Sequence, residues 1–187
     1  MKDRVLVVAP HCDDESFGCL GLLLKMRLET EAYHFLWFSQ ARDTIKGAVR
    51  CAAYFKASYS YIALRDQHHD EVSFIKIIAE LEKALAKFQP TVCLIPFIGD
   101  LNRDHRIISE ACMVAMRPYK NPDVKYVWMY RIPGTTELGV REFKPDLYVP
   151  IDAKKKGSLI QKWYPNERIN GRETVSPYEH FERWPSR

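Results

Sequence analysis

Arg4-Val5-Leu6-Val7-Val8-Ala9-Pro10 is an unbroken apolar, β-branched run closed by proline, and His11-Cys12-Asp13-Asp14-Glu15 follows it at once. A strand with one wet face alternates apolar and polar residues, whereas one apolar throughout is covered on both faces, as in a parallel sheet flanked by helices. The run therefore predicts a central parallel strand, with the acids standing where it leaves the core. Outward from it the pattern alternates. Residues 15–29 read as a helix, 32–39 as a strand, 45–56 as a helix and 59–64 as a strand. Residues 72–88 form an amphipathic helix with Ile75, Ile78, Leu81 and Leu85 as its apolar stripe. A buried strand at 91–97, a helix at 104–116, strands at 125–131 and 143–151, and a helix at 153–163 precede a less regular tail. This is the pattern of a single α/β domain over 1–187, a Rossmann-like three-layer sandwich with a mostly parallel sheet.

Composition narrows the function classes. At 187 residues, 47% of them hydrophobic, the chain can build a core without staples. Its 28 Lys and Arg against 24 Asp and Glu leave a net charge of +4, too weak a field for nucleic acid. The basic run Lys154-Lys155-Lys156 reads as a solvated helix start. The five cysteines are odd in number and form no C-x-x-C pair, which points to a reducing, cytoplasmic setting. No apolar stretch approaches the roughly 18 residues of a membrane span, and the first apolar run is too short for a signal peptide. The expected partner is a small molecule, with neither nucleic acid nor a membrane span; a homo-oligomer is compatible with all of this.

In a doubly wound sheet, ligands bind beyond the carboxyl ends of the strands. Two such loops carry acids and imidazoles: His11 to Glu15, and Gly99-Asp100-Leu101-Asn102-Arg103-Asp104-His105. Adjacent carboxylates at the rim of a low-dielectric core repel unless a cation lies among them. Imidazole, carboxylate and a second imidazole from His105 make three N/O ligands with a fourth position open for water, the plan of catalytic zinc. Of Asp13 and Asp14, one would ligate and one would take a proton from water; the residues alone leave open which. Two readings compete. Asp-Asp-Glu before a helix also serves as an N-terminal cap, and two histidines with one carboxylate also suit a non-haem iron oxygenase, though such sites favour all-β folds.

Val5 to Gly18, VLVVAPHCDDESFG, resembles the opening of the PIG-L/LmbE family of metal-dependent N-deacetylases, whose first strand ends in P-H-x-D-D-E. Asn102-Arg103-Asp104-His105 resembles the family's second motif, H-x-D-H. Weaker echoes are Arg50, a Lys-rich stretch leading to Tyr164, and Glu179-x-Phe181. The resemblance implies that His11, Asp14 and His105 bind Zn2+, with Fe2+ an alternative ion. It implies that Asp13 is the general base, that Asp104 orients His105 or another ligand, and that Arg50 contacts substrate. The implied reaction removes an N-acetyl group from an amino sugar or sugar conjugate. Two positions depart from the family. Cys12 stands for a frequent proline and reads as a bystander thiol. Asn102 stands for the first histidine of H-x-D-H, and an amide donates a hydrogen bond but delivers no proton. Asn102 then serves as an oxyanion donor, Asp13 makes both proton transfers, or the chain is a catalytically silent binding module. His68 and His69, next to Asp66 and Asp70, have the residue types of a second metal site, but with no strand delivering them to the first cluster they read as solvated loop; the aromatics Trp37, Phe38, Tyr54, Phe55, Tyr59 and Tyr61 read as core, and Trp163, Tyr164 and Trp184 as candidates for a sugar pocket.

Overall fold

The computed structural model describes residues 2–40, 43–166 and 176–184. Seven strands form one sheet: β1 (Asp3–His11), β2 (Thr30–Ser39), β3 (Ser58–Leu64), β4 (Val92–Pro96), β5 (Tyr126–Tyr130), β6 (Leu147–Pro150) and β7 (Tyr178–Arg183), in the order β3-β2-β1-β4-β5-β7-β6. Strands β1 to β5 pair in parallel, and β7 lies antiparallel between β5 and β6. The helices are α1 (Asp14–Met26), α2 (Thr44–Phe55), α3 (Phe74–Phe88), α4 (Arg103–Ala115) and α5 (Ala153–Trp163). The expected α/β sandwich is present.

Side-chain alternation explains the three layers. Val5, Val7 and Ala9 of β1 face a core shared with α1, α2 and α5, while Leu6 and Val8 face a second core shared with α3 and α4. Phe35 and Trp37 against Leu36 and Phe38 divide β2 in the same way. A strand buried on both faces has no room for polar residues until it ends. In β1 it ends at His11.

Chain order reverses beside β1. The chain runs outward through β2 and β3, and α3 then carries it back across to β4 on the other side of β1. The carboxyl ends of β1 and β4 thus flank the topological switch point, the crevice where such sheets bind ligands.

Four expectations need correction. Strand β7 falls in the tail that read as irregular. Its polar residues Glu179, His180 and Glu182 hide the strand pattern, but Glu179 and Phe181 are buried. The stripe of α3 is Ile77, Leu81, Ala84, Leu85 and Phe88, and Ile75 is exposed, because the helix meets the sheet at a different phase from the one its spacing suggested. Lys156 is buried, although Lys154 and Lys155 are exposed. Trp163 and Tyr164 pack in the core with Phe17 and Tyr54 rather than lining a pocket. Trp184 lines a groove with Met113, Met116 and Val124, at the amino end of β5 and away from the switch point. No helix of the described residues is long and apolar enough to cross a membrane.

Helix α1 is buried along most of its length, and two glycines permit this. A Cβ on Gly18 would collide with the Tyr130 ring, and one on Gly21 would meet Ile151 at 2.6 Å. The Tyr130 ring cannot retreat easily, since its hydroxyl donates to the Val8 carbonyl at 2.8 Å. Gly18→Ala is expected to destabilise the fold by about 1–3 kcal/mol through overpacking, read as a lower denaturation midpoint with unchanged slope.

Candidate metal centre

His11 is the last residue of β1, Asp14 opens α1 and His105 lies in the first turn of α4, so the switch point brings all three together. His11 Nδ1 lies 3.1 Å from Asp14 Oδ2, His105 Nε2 lies 3.4 Å from the same oxygen, and the two ring nitrogens are 3.2 Å apart. Zinc–ligand bonds of 2.0–2.1 Å in a tetrahedron separate neighbouring ligand atoms by about 3.3 Å. The three edges fit one face of that tetrahedron, and all three residues are buried.

The surrounding groups hold this geometry. Asp14 Oδ2 also accepts the backbone N–H of His11 at 2.9 Å. His105 Nδ1 faces Asp100 Oδ1 at 3.2 Å, which turns Nε2 toward the centre. Asp100 is fully buried and is held by the hydroxyls of Thr135 and Thr136 and by the Asn102 backbone N–H. Asp104 faces His11 rather than His105: its Oδ2 lies 3.3 Å from His11 Nε2. It also accepts the backbone N–H groups of Gln67 and His69, tying the loop after β3 to the start of α4. Gln67 adopts a left-handed conformation, φ 60°, to present that N–H.

Electrostatics say what the cluster is built to hold. Burial alone would lower the basicity of His11, but the Asp14 charge and hydrogen bonds with Asp104, Asp14 and Asp66 overturn this and push it up to about 12. Burial likewise opposes charge on Asp14, yet His105 and His11 hold it well below the usual carboxylate range. Burial and the nearby acids push the Cys12 thiol up, which keeps it unreactive and fits the bystander reading. A site that draws protons onto buried imidazoles favours positive charge at its centre, as a divalent ion would supply.

Capping does not account for the acids. Asp13 precedes α1 but its side chain makes no capping hydrogen bond, and it is half-buried beside the trio. Glu15 is fully buried and accepts from the Ser16 hydroxyl, the Tyr164 hydroxyl and the Trp37 indole at 2.8, 2.6 and 3.1 Å. Burial pushes its carboxyl up to about 7 against those bonds. Its place is in the core, joining α1 to β2 and the end of α5. At the second loop, α4 is capped by Asn102, whose Oδ1 accepts the Asp104 N–H at 2.9 Å. The donor end of that amide, Nδ2, is therefore the end that can face a ligand.

Two members of the cluster come from the segment that reads in the sequence as solvated loop. Asp66 Oδ1 lies 3.1 Å from His11 Nε2. His69, expected in a solvated loop, is fully buried and stacks on the His11 ring with centroids 5.8 Å apart. Burial holds its imidazole neutral, down to about 4, against the pull of Asp104. Both follow β3, so the signal was again a loop at the carboxyl end of a parallel strand. Arg50 is exposed on α2, and no hydrogen bond or ion pair joins it to the cluster among the described residues.

Known proteins agree with this architecture. The N,N'-diacetylchitobiose deacetylase of Pyrococcus horikoshii superposes with a TM-score of 0.70 at 18% identity, covering 98% of this chain and 84% of that one. A conserved protein of Thermus thermophilus, TT1542, superposes with a TM-score of 0.69 at 22% identity, covering 87% and 79%. GalB, the 4-carboxy-2-hydroxymuconate hydratase of Pseudomonas putida, superposes with a TM-score of 0.71 at 19% identity, covering 100% and 98%. At these identities the likeness shows a shared fold. Comparison with curated proteins finds no significant sequence match. Residues 6–116, more than half of the 187 and including every residue of the trio, match the family described as PIG-L, GlcNAc-PI de-N-acetylase, and the chain belongs to that family.

Proposed function

We propose that this chain is a zinc-dependent hydrolase that removes the N-acetyl group from an amino sugar or sugar conjugate. The observation that carries the reading is the trio His11, Asp14 and His105 with tetrahedral edges, beside a half-buried Asp13 whose side chain does no capping work. A divalent ion held there would polarise the amide carbonyl and lower the pKa of water toward 7.

The protein's own groups do the rest. Asp13, the residue before the ligand Asp14, accepts a proton from water as its oxygen adds to the acetyl carbon. As the C–N bond breaks, Asp13 returns that proton to the leaving nitrogen, giving acetate and a free amine. Asn102 cannot supply the proton, so a single carboxylate makes both transfers. The Asn102 Nδ2 donates a hydrogen bond to the carbonyl oxygen as negative charge develops on it. Asn102→Asp separates its two tasks. Aspartate caps a helix as well as asparagine does, so the denaturation midpoint should hold, whereas loss of the donor should lower kcat by about 100-fold or more.

Two imidazoles and a carboxylate also suit ferrous iron, but the open sheet of parallel strands is unlike the all-β scaffold on which the oxygenase alternative rested. A stronger competitor is hydration of a carbon–carbon double bond, the reaction of the similarly folded hydratase, because activated water and a carboxylate base serve both. A panel of N-acetylated amino sugars and their glycosides, with an unsaturated hydroxy acid assayed beside them, decides. The proposed activity releases acetate and amine in equal amounts from an amino sugar. Addition of one water to the unsaturated acid with no turnover of any amino sugar, or no turnover at all, contradicts it.

A further inference from the structure

We propose a binding site for a small carboxylate with an apolar body, an acyl-chain carboxylate in chemical class, in the groove between the last turns of α4 and the amino end of β5. It lies at the opposite end of α4 from His105 and does not rest on the function proposed above.

The groove follows from how the helices are spaced. Val127 and Met129 of β5 face the layer of α3 and α4, yet α4 packs chiefly over β4 and β1. The amino half of β5 is left without a helix above it, and Met113, Met116, Val124 and Trp184 wall a cavity of about 420 Å3 there. Cavities of roughly 300–1,000 Å3 are those that enclose small molecules. Thioether walls adjust to the shape of an apolar chain, and the indole of Trp184 adds a large apolar surface.

Charge says which end of the ligand is polar. Arg117 and Lys125 also line the groove; among the described residues no acid lines it and none pairs with either cation. Asp123 stands in the same loop but outside the lining, and Glu82, which α3 brings toward this end of α4, is already taken by Lys120 at 2.7 Å. The Arg117 guanidinium carbon stands 5.4 Å from the centre of the Tyr119 ring, and its Nε is shielded from solvent without an acceptor. Buried donors nearly always have a partner, so a donor left unmatched at the wall of a cavity marks where an acceptor belongs.

Two cations beside apolar walls fit a molecule that is negative at one end and apolar along the rest. Inorganic phosphate would leave the apolar walls bare, and a neutral chain would leave the guanidinium unmatched. A second copy of the chain seated groove to groove would set the two cations against their own counterparts, so the occupant is a small molecule.

Isothermal titration of the full chain with decanoate, kept below its micellar concentration, tests this. The expected result is saturable binding of one decanoate per chain. Decanol has the chain without the charge and inorganic phosphate the charge without the chain, so each should bind at least about 10-fold more weakly. Arg117→Met removes the cation, and Met113→Trp fills the groove from a partly exposed position; each should weaken decanoate by at least about 10-fold. The decanol and phosphate comparisons use the unaltered protein and keep the test open if a variant does not fold. Absence of saturable decanoate binding, decanol or phosphate bound as tightly as decanoate, or unchanged binding in either folded variant overturns the site. So does sedimentation that shows an oligomer split into monomers by Trp184→Ala, because a second copy then covers the groove.

Discussion

Asp13→Ala is expected to lower turnover by about 100- to 10,000-fold, the usual contribution of a positioned general base, while zinc stays at one ion per chain. The loss belongs at the upper end of that range, because with Asn102 at the histidine position of the family motif no other residue of the two motifs returns a proton to the leaving nitrogen. Asp13 is the half-buried neighbour of Asp14, and the ligand atoms of the trio come from His11, Asp14 and His105 alone. Its removal should therefore spare the ion. His105→Ala, in contrast, removes a ligand atom and strands Asp100, a fully buried carboxylate facing the His105 ring at 3.2 Å. That variant should lose both metal and activity. Metal content and kcat measured on the two variants separate a base from a ligand; equal metal loss in both would contradict the assignment of Asp13.

Glu179→Gln should destabilise the fold by about 3–5 kcal/mol, the cost of leaving one partner of a buried ion pair alone. The pair is unusual in where it sits. Lys156 of α5 and Glu179 of β7 meet at 2.7 Å, both about 5% exposed, against the middle of α1. Glu179 accepts the N–H groups of Gly21 and Leu22, each at 2.7 Å, and Lys156 Nζ donates to the Phe17 carbonyl at 2.7 Å. Gly21 would ordinarily donate to that same carbonyl. An amide at 179 offers one acceptor oxygen where two helix N–H groups require acceptors, and it leaves the ammonium uncompensated. Lys156→Met with Glu179→Gln should cost less than the sum of the single changes, since the second removes a group that the first has already stranded. Denaturant unfolding of the four proteins measures this coupling; additive losses would mean that the two side chains act separately.

The parts of this protein legible in its sequence are those in which one residue type decides the outcome. The run from Arg4 to Pro10 leaves a strand no wet face, so a helix layer on each face of the sheet follows from it. The acids and imidazoles that end β1 and precede α4 then have one place to meet. His69 was illegible for the opposite reason. Its neighbours Asp66, Gln67, His68 and Asp70 are those of a polar loop, and its burial comes from Asp104, whose carboxylate takes the backbone N–H groups of residues 67 and 69 from across the crevice. Lys156 read as solvated because its two preceding residues are lysines that do face solvent; only the tertiary placement of Glu179 gives it a buried partner. Strand β7 hid for the same reason, since the carboxylate that makes its sequence look polar is consumed inside α1.

The central claim is that His11, Asp14 and His105 hold one ion with a position left for water. The zinc X-ray absorption spectrum of protein carrying a single equivalent addresses it directly. The expected spectrum shows two imidazoles and oxygen donors at about 2.0–2.1 Å. A sulfur shell at about 2.3 Å, which would place Cys12 in the coordination sphere, or a spectrum without imidazole scattering, would contradict it.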